Sequence, residues 1–153
     1  MFKKSFFIAA IAALATTLSS FAPKATNESN AENATIYVYR VGQFNGAAAN
    51  WSIWADGQKI CKISNNKFLK VELPAGKHEF NAKVGGVGIL KKETSVEIDA
   101  EAGHSYYIAC NVKQSITRVR LELMEVTKST ADKQMAKMTV DNCQAKIDGE
   151  GDQ

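Results

Sequence analysis

The residues with the widest chemical reach in this 153-residue chain are three cysteines, Cys61, Cys110 and Cys143, and two histidines, His78 and His104. Three thiols permit at most one intramolecular disulfide, with three pairings and one thiol left over. None lies in the two-residue spacing of a redox motif or a zinc knuckle. The expected bond is Cys110 with Cys143, because Cys110 shares a strand face with Tyr106 and Ile108 and the terminal segment is long enough to fold back. Cys61 is then the free thiol. His78 follows a turn and points to the core side of its strand, so a ligand or base role competes with the simpler reading of a histidine hydrogen-bonded near a strand end. His104 follows Gly103 in a turn and is expected at the surface. With two histidines and at most one cysteine to partner them, a hydrolytic triad has little support.

Gly85-Gly86-Val87-Gly88 has the composition of a phosphate cradle, but such a loop uses the N-terminus of a following helix, and Ile89 onwards reads as strand. A hairpin tip is the better reading. The aromatic residues Tyr37, Tyr39, Tyr106, Tyr107, Trp51 and Trp54 have the faces and polar tips that line a sugar or peptide groove. Adjacent pairs such as Tyr106-Tyr107 must point to opposite faces of a strand, so at least half of them are expected in the core. Trp54, beside Lys59 in the expected pairing, is the candidate exposed binding aromatic. Neither catalytic residues, a cofactor nor a metal is expected.

The elements that position these side chains follow a period of two. Ala34 to Val41 is dense in β-branched and aromatic residues on both faces and reads as an interior strand. Trp51–Ala55 and Gln58–Ile63 flank Asp56-Gly57, a dipeptide suited to the two positive φ angles of a type I′ hairpin turn. A regular two-residue hairpin pairs Ala55 with Gln58, Trp54 with Lys59, Ile53 with Ile60 and Ser52 with Cys61. Ile53, Ile60 and Trp51 then face the core, and Cys61 faces away. Asn65-Asn66 marks a second tight turn, followed by a strand in which Leu69, Val71 and Leu73 alternate with Phe68, Lys70 and Glu72. Leu73-Pro74-Ala75-Gly76 is a third turn, and the next strand puts His78, Phe80, Ala82 and Val84 on one face. Further strands are expected in 89–98, 103–112 and 118–126. About eight short strands with turn signals roughly every ten residues predict an all-β, antiparallel sandwich. Only the end departs from this: Ser129 or Thr130 starts a short helix through about Met138, with Met135 and Met138 inward, lying across an open edge or end of the sandwich.

The first twenty-five residues point to a compartment. Met1-Phe2-Lys3-Lys4 followed by the apolar run Phe6 to Leu18 is the pattern of a signal peptide, too short to span a bilayer as a helix. The expected organisation is a signal peptide at 1–25, a flexible polar linker at 26–33, one β-sandwich domain at 34–147 and a polar tail at 148–153. Lys3, Lys4 and Lys24 precede Ala25 and no acid does, so the rest of the chain carries 16 basic and 16 acidic side chains, and the formal charge of +3 belongs to the export signal. A balanced domain without a basic block excludes a nucleic-acid binder, whose ligand demands clustered Lys and Arg.

ATIYVYR at 34–40, the Asp56-Gly57 hairpin, LPAGKHEF at 73–80 and EAGHSYYIA at 101–109 stand in the order and at the spacing of the bacterial "domain of unknown function 2846" family, which the chain resembles from about Ala34 to Val126. The resemblance implies a small envelope β-sandwich and carries no catalytic residues to transfer. Many members look like lipoproteins; this sequence departs from them in having no cysteine to lipidate at the end of its apolar run. The expectation is therefore a non-enzymatic periplasmic or secreted bacterial envelope protein, a binding or scaffolding module whose partner is another envelope protein or a glycan, held at a membrane only if the signal is uncleaved. The alternatives are a secreted inhibitor or effector of another protein and, behind it, an unrecognised hydrolase.

Overall fold

A computed structural model describes residues 33–44, 47–84, 95–114 and 119–149. The strands are β1 (Asn33–Arg40), β2 (Trp51–Ala55), β3 (Gln58–Ile63), β4 (Lys67–Pro74), β5 (Gly76–Val84), β6 (Ser95–Ala100), β7 (Ser105–Gln114) and β8 (Val119–Val126); helix α1 (Lys128–Met135), the two-residue strand β9 (Thr139–Val140) and the single turn α2 (Gln144–Ile147) follow. They form an all-β sandwich of two sheets, ordered β8-β7-β1-β4-β9 and β3-β2-β5-β6. Export signal, phosphate-loop candidate and most of the polar linker and tail lie outside the described residues.

Local chemistry accounts for the tight turns. Asp56 and Gly57 both take positive φ (50° and 77°), and Asn66 does the same at φ 57°, as their turn positions require. The Asp56 carboxylate also accepts a hydrogen bond from the Glu79 N–H at 2.9 Å, tying the β2–β3 turn to β5.

The chain alternates between the layers, and this makes the five-stranded sheet mixed rather than purely antiparallel. β1 pairs antiparallel with β4 and parallel with β7, with Val38 opposite Ile108 and Arg40 opposite Cys110. Parallel neighbours need a long crossover, which the intervening β2–β6 supply.

β1 is apolar on both faces because both are covered. Ala34, Ile36 and Val38 face the second sheet and join the main core with Ile53, Ile63, Leu69, Phe80, Ile98, Ile108 and Leu121. Tyr37 and Tyr39 face outward and join Tyr107, Ala109 and Ala131 in a smaller cluster, against which Met135 and Met138 pack. The terminal helix thus covers the outer face of the five-stranded sheet rather than an open edge or end of the sandwich, and begins and ends slightly earlier than expected.

One irregularity overturns an expectation. The β2–β3 pairing begins as expected with Ala55 opposite Gln58 and Trp54 opposite Lys59, but then shifts so that Ile53 faces Cys61 and Trp51 faces Ile63. Ile60 is the extra residue of a β-bulge, and a one-residue slip exchanges every side chain beyond it between the two faces. Cys61 and Ile63 are consequently buried, while Ile60 is half-buried at the rim.

Candidate functional site

The bulge settles the cysteine chemistry against the expected pairing. The disulfide joins Cys61 to Cys143 across 82 residues of sequence, with Cα atoms 6.0 Å apart, and Cys110 is the free, buried thiol. Cys110 lies inside the five-stranded sheet beside Arg40 and Leu123, away from the seam that the C-terminal segment reaches. Burial pushes its thiol up to about 12, with the Arg40 charge pulling the other way, so it is an inert thiol at neutral pH.

The bond sits at the seam where β3, an edge of one sheet, meets β4, near the edge of the other. Asp141, 5% exposed, organises the approach. Its main-chain N–H donates to the Phe68 carbonyl at 2.8 Å, while its carboxylate accepts from the main-chain N–H groups of Ser64 (2.8 Å) and Cys143 (3.2 Å). One turn on, the Gln144 amide behaves as a surrogate strand residue: its Oε1 accepts from the Lys70 N–H at 2.8 Å and its Nε2 donates to the Lys70 carbonyl at 3.0 Å. The short pairing of β9 with Lys67 and Phe68 completes this cover of the β4 edge.

Beside this cover a groove of about 330 Å³ opens, lined by Ala55, Asp56, Ile60, Val71, Leu73 and Ile147. Because Lys70 turns its main-chain groups away from β1, strand alternation turns those of Glu72 the same way. The walls are apolar and the lip carries Gln58 and Lys59. The ligand-bearing atoms of Cys61, Asp141 and Cys143 lie within 4.8 Å of one another, but sulfurs joined to each other are not thiolates, so the trio offers a cation one carboxylate.

His78 is linked to the groove through Asp56, one of its lining residues. Its Nδ1 is 2.7 Å from the Asp56 carboxylate and its Nε2 is 2.8 Å from the Pro74 carbonyl oxygen. Both partners are acceptors, so the ring donates twice and is an imidazolium in this arrangement. Burial pulls its pKa down, but the hydrogen bonds to Asp56 and Pro74 and the Asp56 charge outweigh burial and raise it. For Asp56, burial pushes up, while His78 and the Glu79 N–H together hold the carboxyl below its ordinary value. An imidazolium that donates from both nitrogens has no lone pair with which to take a proton. His104 is exposed as expected, 3.2 Å from the Ala102 carbonyl.

Trp54 is half-buried rather than exposed. Lys83, its diagonal neighbour across the β2–β5 pairing, lays its ammonium 4.3 Å from the ring centroid, which takes up the face a sugar would stack on. Tyr37 and Tyr107 likewise spend their faces on each other, stacked with centroids 5.2 Å apart. The Tyr39 hydroxyl donates to Gln134 of α1 at 2.7 Å, and burial lifts its pKa to about 12.

Sequence reasoning did not single out Arg40, Asp141, Gln144 or the groove. Arg40 was signalled by the alternation Ala34, Ile36, Val38, Arg40, which aims it inward; it is 0% exposed and its guanidinium donates to the Ala49 carbonyl. Asp141 was signalled by the turn composition of Asp-Asn-Cys-Gln. Nothing local marks the groove, which two sheet edges and a distant helix make jointly.

Two stacked sheets with interdigitated apolar inner faces place the molecule among the β-sandwich proteins. Within that class, the model of a family described as "Protein of unknown function (DUF2846)" matches residues 30–122, and the chain belongs to this family. The match ends within β8, so α1, β9 and α2, and with them Cys143, lie beyond it. No curated protein matches the sequence.

Proposed function

We propose that this is an exported, envelope-associated binding module without enzymatic activity, and that it takes an extended segment of another envelope protein along the groove between β3 and β4. The observation that carries this reading is the state of the β4 edge. The two-residue strand β9 already pairs with it at Lys67 and Phe68 and the Gln144 side chain bonds the main chain of Lys70, while further along the same strand Val71 and Leu73 line an apolar groove with Ile60. Strand addition of this kind draws affinity from main-chain hydrogen bonds and specificity from side-chain pockets. The Cys61–Cys143 bond supports export, since structural disulfides persist in oxidising compartments. The doubly donating His78 speaks against a hydrolase built on that ring.

A photo-crosslinking residue placed at Ile60 or Leu73, used on intact cells, should trap a protein partner, with the crosslinked peptide extended and apolar at alternate positions. Mass spectrometry of the same sample reads the mature N-terminus. Recovery of a glycan instead would replace the partner class, and recovery of the chain from the cytosol with Met1 attached would overturn the export reading.

A further inference from the structure

The segment Thr139–Ile147 is held to the two sheets by different means. On the β4 side it has the main-chain bond from Asp141 to Phe68 and the paired Gln144–Lys70 bonds, and the Asp141 carboxylate accepts from Ser64, just past the end of β3. On the β3 side the one covalent tie is Cys61–Cys143, with Ile147 packed against the core nearby. The segment has little stability of its own: β9 is two exposed residues and α2 is four residues long, too short to persist unaided.

We propose that the Cys61–Cys143 disulfide is a redox-operated clasp that sets how much of the β4 edge is open to a partner. This rests on the reading of the groove as the binding site. The reductant is a dithiol. Its thiolate attacks the sulfur of half-buried Cys143, Cys61 being only 5% exposed, and the S–S bond breaks with Cys61 as the leaving thiolate. The reductant's second thiol then displaces Cys143 from the mixed disulfide. Two electrons and two protons pass to the protein as two thiols, and the dithiol becomes a disulfide. Cys110, fully enclosed, takes no part. Once freed, the segment leaves the edge. The main-chain groups of Phe68 and Lys70 then become continuous with those of Glu72, and the site lengthens along the whole outward side of β4. Departure of Ile147 removes one wall of the groove and admits a bulkier apolar side chain.

Hydrogen exchange followed by mass spectrometry on the full chain, with and without dithiothreitol, tests this. The expected result is a loss of protection of about tenfold or more at the amides of Ser64, Lys70 and Asp141, with Ile36, Val38 and Ile108 unchanged, as for a local opening. Unchanged exchange at Ser64 and Lys70 overturns the proposal, because the hydrogen bonds would then hold the segment without the disulfide. A loss spread evenly through the interior overturns it too, since the bond would then staple the whole fold. Cys143→Ser should reproduce the reduced pattern without reductant, and the reduced native chain gives the answer if that variant does not fold. These readouts follow the segment itself, so they stand apart from whether any partner crosslinks to Ile60 or Leu73.

Discussion

His78 shows how much one side chain can be asked to do by its acceptors. It links the β2–β3 turn, through Asp56, to the end of β4, through Pro74. Its pKa is raised on folding, so its contribution is complete below the ordinary histidine value near 6.5 and is lost as pH rises through the higher folded value. Asp56 is lowered on folding, so its contribution is complete above the ordinary value of 3.8 and is lost as pH falls through the lower folded value. Stability should therefore be greatest between about pH 4 and 6.5. Because the Asp56 side chain is 47% exposed, the pair is worth no more than about 1 kcal/mol. Urea denaturation at pH 5.5 and 8.5 should show a decline with rising pH that Asp56→Asn reduces. An equal decline in the variant would place the effect elsewhere.

At the scale of elements, the bulge in β3 has the largest consequence. It turns Cys61 inward, and it sets Ile60 at the rim of the groove. Deleting Ile60 should remove the bulge while leaving Ile53 opposite Cys61, so the Cys61–Cys143 bond should still form and only a groove wall be lost. Non-reducing peptide mapping checks this, and a Cys110–Cys143 linkage in the variant would refute the role given to the bulge. The strands themselves were legible: Leu69-Val71 and Phe80-Ala82 alternate as half-buried strands must, and Asp56-Gly57 takes the two positive φ values its composition demands. The bulge was not, because the tetrapeptide Lys59-Ile60-Cys61-Lys62 is as compatible with a regular ladder as with an interrupted one. What decides is which register buries more apolar surface, and that depends on Ile63 further along β3 and on Cys143 and Ile147 across the seam.

For the whole molecule, three layers matter rather than two: the four-stranded sheet, the mixed five-stranded sheet in the middle, and α1 over the outer face of the latter. Ala131, 0% exposed, is buried with Tyr39, Tyr107 and Ala109. Ala131→Glu should cost about 3 kcal/mol in urea denaturation, by burying a carboxylate without a partner, whereas exposed Lys133→Glu should cost less than about 0.5 kcal/mol. Equal effects would mean the helix does not pack there. The sequence by itself determined the all-β class, the turns and the family, because side-chain alternation and left-handed turn residues act over a few positions and need no distant partner. The tertiary structure alone decided which cysteines bond, that β1 and β7 run parallel, that Trp54 is covered by Lys83, and that a groove lies between β3 and β4. Each of these depends on groups brought together from separate parts of the chain, where burial and hydrogen-bond satisfaction of the assembled molecule outweigh any local preference.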